Sequence, residues 1–112
     1  LVAMGEITLT RTVIVNDPHG MHMRPADLFV RRARGFRCKI TLVKDGNRVD
    51  GTSILDIMTL AVVFGSPLTI EACGQDAEAA LDALGQLIES GFAELHSQDK
   101  PAESPKPREN GA

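Results

Sequence analysis

The sequence predicts an α+β fold, a four-stranded, mostly antiparallel sheet covered on one face by three helices. Segments rich in β-branched residues alternate with segments of helical periodicity in the order βαββαβα. The pair Asp45-Gly46 is a strong signal for a hairpin between the second and third strands. A length of 112 residues with 43% hydrophobic content suits a single core. We therefore expect one open-faced β-sandwich.

Turn and cap residues place each element in this order. Strands are predicted at 7–15, 37–43, 48–50 and 68–73, and helices at 23–34, at 54–61 and after Asp76. Ser53 and Asp56 fit a capping box at the start of the second helix, and Asp76 is the predicted N-cap of the third. The third helix is expected to bury one apolar stripe, formed by Ala77, Leu81, Leu84, Ile88, Phe92 and Leu95.

The last part of the chain differs from the rest in composition. Residues 97–112 hold three of the six prolines and no large apolar side chain. Such a segment buries too little apolar surface to offset the entropy lost on ordering. We therefore predict a folded domain over residues 1–96 and a disordered tail over residues 97–112.

Composition excludes several classes of protein. A net charge of −3 and the absence of Trp and Tyr argue against nucleic-acid binding. The sequence contains no run of about 18 apolar residues, which a membrane span would need, and no signal-peptide pattern. A cytoplasmic location is therefore expected. Cys38 and Cys73 lack metal-ligand spacing and are expected to be buried free thiols, with a disulfide between adjacent strands as the alternative.

The stretch around His22 carries the chemistry. Pro25 is tolerated only in the first turn of a helix, which places His22 at or next to the N-cap. A helix N-terminus favours anions, and Arg24 adds a permanent cation that matches phosphate geometry. An imidazole is a good nucleophile near neutral pH. The alternative is that His22 only caps the helix and Arg24 is a solvated surface charge.

The segment Gly20-Met21-His22-Met23-Arg24-Pro25-Ala26 resembles the active-site motif of the HPr family. These are the histidine-containing phosphocarrier proteins of the phosphoenolpyruvate-dependent sugar phosphotransferase system. The motif reads Gly-apolar-His-x-Arg-Pro-Ala, and the resemblance extends over roughly residues 7–95. It implies the same open-faced fold and no cofactor.

The resemblance also implies a role for each matching residue. His22 would accept a phosphoryl group on Nδ1 from phosphorylated enzyme I and pass it to enzyme IIA, with Arg24 stabilising it. Such a protein would act as a carrier in a relay, not as an independent catalyst. The oligomeric state is left open, with a monomer as the default expectation. Ser53 matches the serine that an HPr kinase/phosphorylase modifies in some relatives, although its capping box explains it equally well. A docking patch is implied at Ile54, Leu55 and Met58, although Ile54 or Leu55 could instead belong to the core.

The sequence is compatible with two other functions. The protein could be a regulatory interaction module switched by phosphorylation of Ser53, or a sandwich in which His22 and Arg24 hold a small anion without covalent transfer. His19 and His22 form an H-x-x-H pair, but two histidines without a third ligand do not predict a metal site.

Overall fold

Four antiparallel strands form the sheet, and their order across it is β1-β4-β2-β3. The computed structural model describes residues 7–95, so His96 and the predicted tail over 97–112 lie outside the described residues. The strands are β1 (Thr8–Ile14), β2 (Cys38–Lys44), β3 (Asn47–Asp50) and β4 (Pro67–Gly74). The helices are α1 (Met23–Ala33), α2 (Ile54–Thr59) and α3 (Ala77–Glu89). The predicted α+β fold and element order are confirmed.

The two faces of the sheet differ because side chains alternate along each strand. The face under the helices is apolar and buried, with Val13, Ile40, Leu42, Leu68 and Ile70 among its residues. The other face is polar: the hydroxyls of Thr12 and Thr69 lie 2.8 Å apart, and Arg48 forms an ion pair with Glu71. The helices therefore cover one face only, and no helix among residues 7–95 is long and apolar enough to cross a membrane.

The third helix ends earlier than its apolar stripe predicts. Gly91 has a φ of +69°, its N–H donates to Ile88 O, and the N–H of Phe92 donates to Leu87 O, both at 3.0 Å. These two bonds form a Schellman motif, which ends α3 at Glu89. Phe92 is fully buried, as predicted, but it lies after the end of α3 and not on the helix itself.

Two predicted caps have different outcomes. The Ser53 hydroxyl accepts the N–H of Asp56 at 3.2 Å, while the N–H of Ser53 donates to Asp50 O, so only half of the capping box forms. Asp76 occupies the N-cap position of α3 but makes no side-chain cap bond. Its carboxylate instead accepts the backbone N–H of Arg37 at 2.7 Å and so ties α3 to the segment that enters β2. The predicted N-cap position of Asp76 is therefore confirmed, although its carboxylate does not cap α3.

The two cysteines do not form a disulfide. Cys38 pairs with Gly74, and Cys73 pairs with Lys39, one position further along β2. Since neighbouring positions on a strand point to opposite faces, the two thiols project away from each other. Both are free and half-buried rather than buried, and burial, followed by the charge of Asp76, raises the pKa of Cys38.

Candidate functional site

His22 is the N-cap residue of α1, with extended backbone angles of φ −89° and ψ −167°. Its carbonyl accepts the N–H of Ala26 at 3.0 Å, so the main chain starts the helix. Its imidazole makes no cap hydrogen bond, and the side chain is 43% exposed. The ring is therefore not used for capping and can be reached by another molecule.

The start of α1 favours a negatively charged ligand. Its first turn contains no acidic residue, and its last turn carries Arg31 and Arg32. Pro25 is buried in the first turn, where a missing N–H costs nothing. The first N–H groups of a helix point along its axis and, with the dipole, attract anions. Arg24 is exposed in the same turn, so the predicted cation lies at the same helix end as His22.

A close backbone contact fixes the loop before His22. Gly20 has a φ of +70°, and a Cβ on it would lie 2.3 Å from Val62 O. The next residue, Met21, donates its N–H to the same carbonyl at 3.1 Å. The segment that follows α2 is also bonded to the end of the first strand. The N–H of Val15 donates to Ser66 O, and the N–H of Gly65 donates to Val15 O. Residues 15–21 and 62–66 therefore support each other beneath His22.

A buried carboxylate lies under the imidazole. Asp17 is 1% exposed, and its Oδ1 is 3.9 Å from Nε2 of His22. The same oxygen accepts the N–H of His19 at 2.8 Å, an Asx turn typical of a loop that reads Asp-Pro-His-Gly. The His19 ring meets the His22 ring edge-on, with centroids 5.8 Å apart. Sequence reasoning missed Asp17, although its turn signal was present.

The predicted docking residues differ in exposure. Leu55 is 76% exposed and Met58 37%, whereas Ile54 packs partly against the core. Met23, Val63 and Phe64 are also exposed, on the first residue of α1 and on the loop after α2. The loop after α2 contacts the segment before His22, where the N–H of Met21 donates to Val62 O, and α2 itself packs against α1. The run of apolar residues before Gly65 was the overlooked signal for Val63 and Phe64.

Ser53 is the N-cap residue of α2. Its side chain is half-buried, and its hydroxyl is already engaged with the N–H of Asp56. Among residues 7–95, no three His, Cys, Asp or Glu side chains come together in a way that could hold a metal ion.

Fold and site together define a small α+β domain that presents a histidine at a helix N-terminus. The family model for the HPr component phosphorylation site of the phosphotransferase system matches residues 9–90. The chain therefore belongs to the HPr family of the phosphotransferase system, a family of phosphocarrier proteins.

Individual relatives agree with this assignment. The phosphocarrier protein HPr of Treponema pallidum is 41% identical over 86 residues, which cover 77% of this chain and 98% of that protein. The crystal structure of HPr from Bacillus anthracis matches with a TM-score of 0.70 and 42% identity, covering 72% of this chain and 96% of that one. Crh, the catabolite repression HPr of Bacillus subtilis, matches with a TM-score of 0.57 and 37% identity, covering 72% of this chain and 96% of that one.

Proposed function

We propose that the protein carries a phosphoryl group on His22, accepting it from phosphorylated enzyme I and donating it to enzyme IIA. One observation supports this proposal above the others: the His22 imidazole sits at the positive end of α1 without serving as its cap. A nucleophile placed there meets an incoming phosphoryl group where the helix dipole already favours negative charge.

The residues around His22 supply what phosphoryl transfer needs from a carrier. Such transfer depends mainly on positioning and on stabilising charge on the phosphoryl oxygens. The start of α1 offers backbone N–H groups, and Arg24 offers a guanidinium in the same turn. The proposal requires no cofactor, and catalysis depends on the partner that brings the donor or acceptor group. We therefore expect a monomeric carrier in the cytoplasm, not an independent catalyst.

We further propose that Leu55 and Met58 dock the partner enzymes, with Ile54 supporting them from the core side. Leu55 is exposed in the free protein, so burying its side chain is favourable only when a partner covers it. Replacing Leu55 with Ser should raise the KM of enzyme I for this protein as its substrate, without changing the free energy of unfolding. Replacing Ile14 with Ser is the matched control, because Ile14 is also exposed but lies on the sheet edge. Equal effects of the two substitutions would contradict the docking role.

The test of the carrier function is phosphorylation of the purified protein. The protein is mixed with phosphoenolpyruvate and enzyme I from the same source, and its intact mass is recorded before and after mild acid treatment. We expect an acid-labile gain of one phosphoryl group that disappears in His22→Ala and persists in His19→Ala. No gain with an active enzyme I would refute the proposal.

A regulatory role through Ser53 is the second candidate function. It is favoured by the likeness to the catabolite repression HPr of Bacillus subtilis and by the position of Ser53 at a helix start. A phosphate there would meet the N-terminus of α2, but it would form on the same hydroxyl oxygen that already accepts the N–H of Asp56 as the helix cap. Incubation with ATP and an HPr kinase/phosphorylase tests this role. An acid-stable phosphoryl group that is absent in Ser53→Ala would support it, and no transfer would exclude it.

A further inference from the structure

His19 is a second titratable side chain in contact with His22. The two imidazole rings meet edge-on, with their planes at 85° and their centroids 5.8 Å apart. His19 is exposed and His22 is half-exposed, so water reaches both rings. Histidine is the side chain that ordinarily changes its charge between about pH 5 and 8. A charged group attached to one ring therefore acts on the protonation of the other.

The turn that carries His19 is held by two hydrogen bonds. The N–H of Gly20 donates to Asp17 O at 2.9 Å, and the N–H of His19 donates to Asp17 Oδ1 at 2.8 Å. The order Asp, Pro, His, Gly follows the residue preferences of a type I turn, in which His19 is the third residue. The close approach of Gly20 to Val62 O anchors this turn to the neighbouring segment. The main chain of His19 is therefore fixed next to His22.

The elements around His19 contribute few groups that could change its charge. The charged or titratable side chains on the loop, at the start of α1 and at the end of α3 are Asp17, His22, Arg24 and Glu89. The segment 61–66, which packs against the loop, contributes none. Glu89 is paired with Arg11. Phosphoryl transfer changes only His22 among these groups, so the phosphoryl group is the new charge that His19 meets.

We propose that His19 binds a proton when His22 is phosphorylated, and that the resulting cation stabilises the phosphorylated protein as the pH falls. This inference rests on the proposed carrier function. A ring nitrogen of His22 forms a bond to phosphorus while the bond from phosphorus to the donor breaks, and the electrons of that bond leave with the donor. The proton that His19 gains comes from solvent and returns to it when the phosphoryl group moves on.

The size of the effect follows from the distance between the rings. A phosphoryl group on a side chain carries about −1.5 to −2 charges near neutral pH. In water, at about the 5.8 Å that separates the rings, this charge increases the affinity of His19 for a proton about five- to tenfold. The stabilisation is fully present below the pH at which His19 titrates in the free protein. It is lost as the pH rises through the higher titration of the phosphorylated protein.

The first test compares the wild-type protein with His19→Asn and His19→Arg. Each is brought to equilibrium with enzyme I, phosphoenolpyruvate and pyruvate at about pH 6 and about pH 8, on either side of the ordinary histidine pKa of about 6.5. The ionic strength is kept low, because salt screens charges at this distance. Intact mass gives the ratio of phosphorylated to free protein. This equilibrium ratio does not depend on how tightly enzyme I binds each variant.

We expect the wild-type ratio to exceed that of His19→Asn about fivefold at the lower pH and to match it at the higher pH. His19→Arg stays charged, so it should keep the higher ratio at both pH values. The same pH dependence in the wild-type protein and His19→Asn would overturn the inference. So would a His19→Arg variant that behaves like His19→Asn.

His22→Glu separates this inference from the carrier function. Its carboxylate places a negative charge beside His19 without any phosphoryl transfer, and His22→Gln is the uncharged control. NMR spectra recorded across the pH range should show His19 keeping its proton to a higher pH in His22→Glu than in His22→Gln. Equal titrations would overturn the inference whatever enzyme I does. A wild-type protein that an active enzyme I leaves unmodified would instead refute the carrier function.

Discussion

Replacing Gly20 with Ala tests whether a close backbone contact holds the loop that carries His22. Gly20 has a φ of +70°, and the added Cβ would lie 2.3 Å from Val62 O and 2.8 Å from Val63 Cα. Both atoms belong to the backbone, so no flexible side chain can move aside. The loop would have to separate from residues 62–66.

Two costs contribute to the expected loss of stability. A left-handed backbone costs a non-glycine residue about 1–2 kcal/mol, and the lower entropy of the unfolded chain offsets about 0.4–1 kcal/mol of this. Relieving the contact adds overpacking strain of about 1–3 kcal/mol and weakens the Met21–Val62 hydrogen bond, worth about 1 kcal/mol. We expect a decrease of about 3 kcal/mol in the free energy of unfolding, with slower phosphorylation of His22.

Urea unfolding followed by far-UV circular dichroism measures the loss, since the chain has no Trp or Tyr for fluorescence. Gly46→Ala is the matched control, because Gly46 has a φ of +82° but no atom within 4 Å of its added Cβ. It should lose about 1 kcal/mol or less, from backbone strain alone. Equal losses in the two variants would refute the close-contact explanation.

Three further predictions concern helix ends and pH. Ser53→Ala should lower the free energy of unfolding by about 1 kcal/mol because the cap to Asp56 is lost, whereas Ser53→Asp keeps an acceptor; equal losses in urea titrations would contradict this. Ala61→Gly should raise it by up to about 1 kcal/mol in the same titrations, since Ala61 ends α2 at a φ of +52°; a decrease would count against strain there. The backbone N–H of Arg37 lowers the pKa of Asp76 from 3.8, so its contribution is fully present above that pH and is lost as the pH falls through the lowered value. Asp76→Asn should therefore lose less stability on acidification than the wild-type protein, measured by thermal melts across the acid range, and parallel curves would refute this.

Strand positions were predictable because they depend on local alternation, but the C-terminal ends of α2 and α3 were not. Ala61 and Phe92 both have positive φ, which their residue types do not indicate. Asp76 looked like a cap because its local sequence fits one, but a backbone donor from another segment binds its carboxylate. A contact between segments that are distant in the sequence decided the role of the Asp76 carboxylate.

In the site, too, the residues that are close in sequence were predictable and a contact that depends on the folded loop was not. His22, Arg24 and Pro25 are close in sequence, so a local pattern placed them together on α1. Asp17 lies five positions before His22, and it reaches Nε2 only because the loop turns at Gly20 against Val62. No short motif encodes that contact.

The site of phosphorylation on the protein tests the central claim most directly. The chain is labelled with ¹⁵N-histidine, phosphorylated by enzyme I and examined by NMR for coupling between phosphorus and nitrogen. We expect the coupling at Nδ1 of His22, the nitrogen that does not face Asp17. A phosphoryl group on Nε2 of His22, or on His19, would contradict the account.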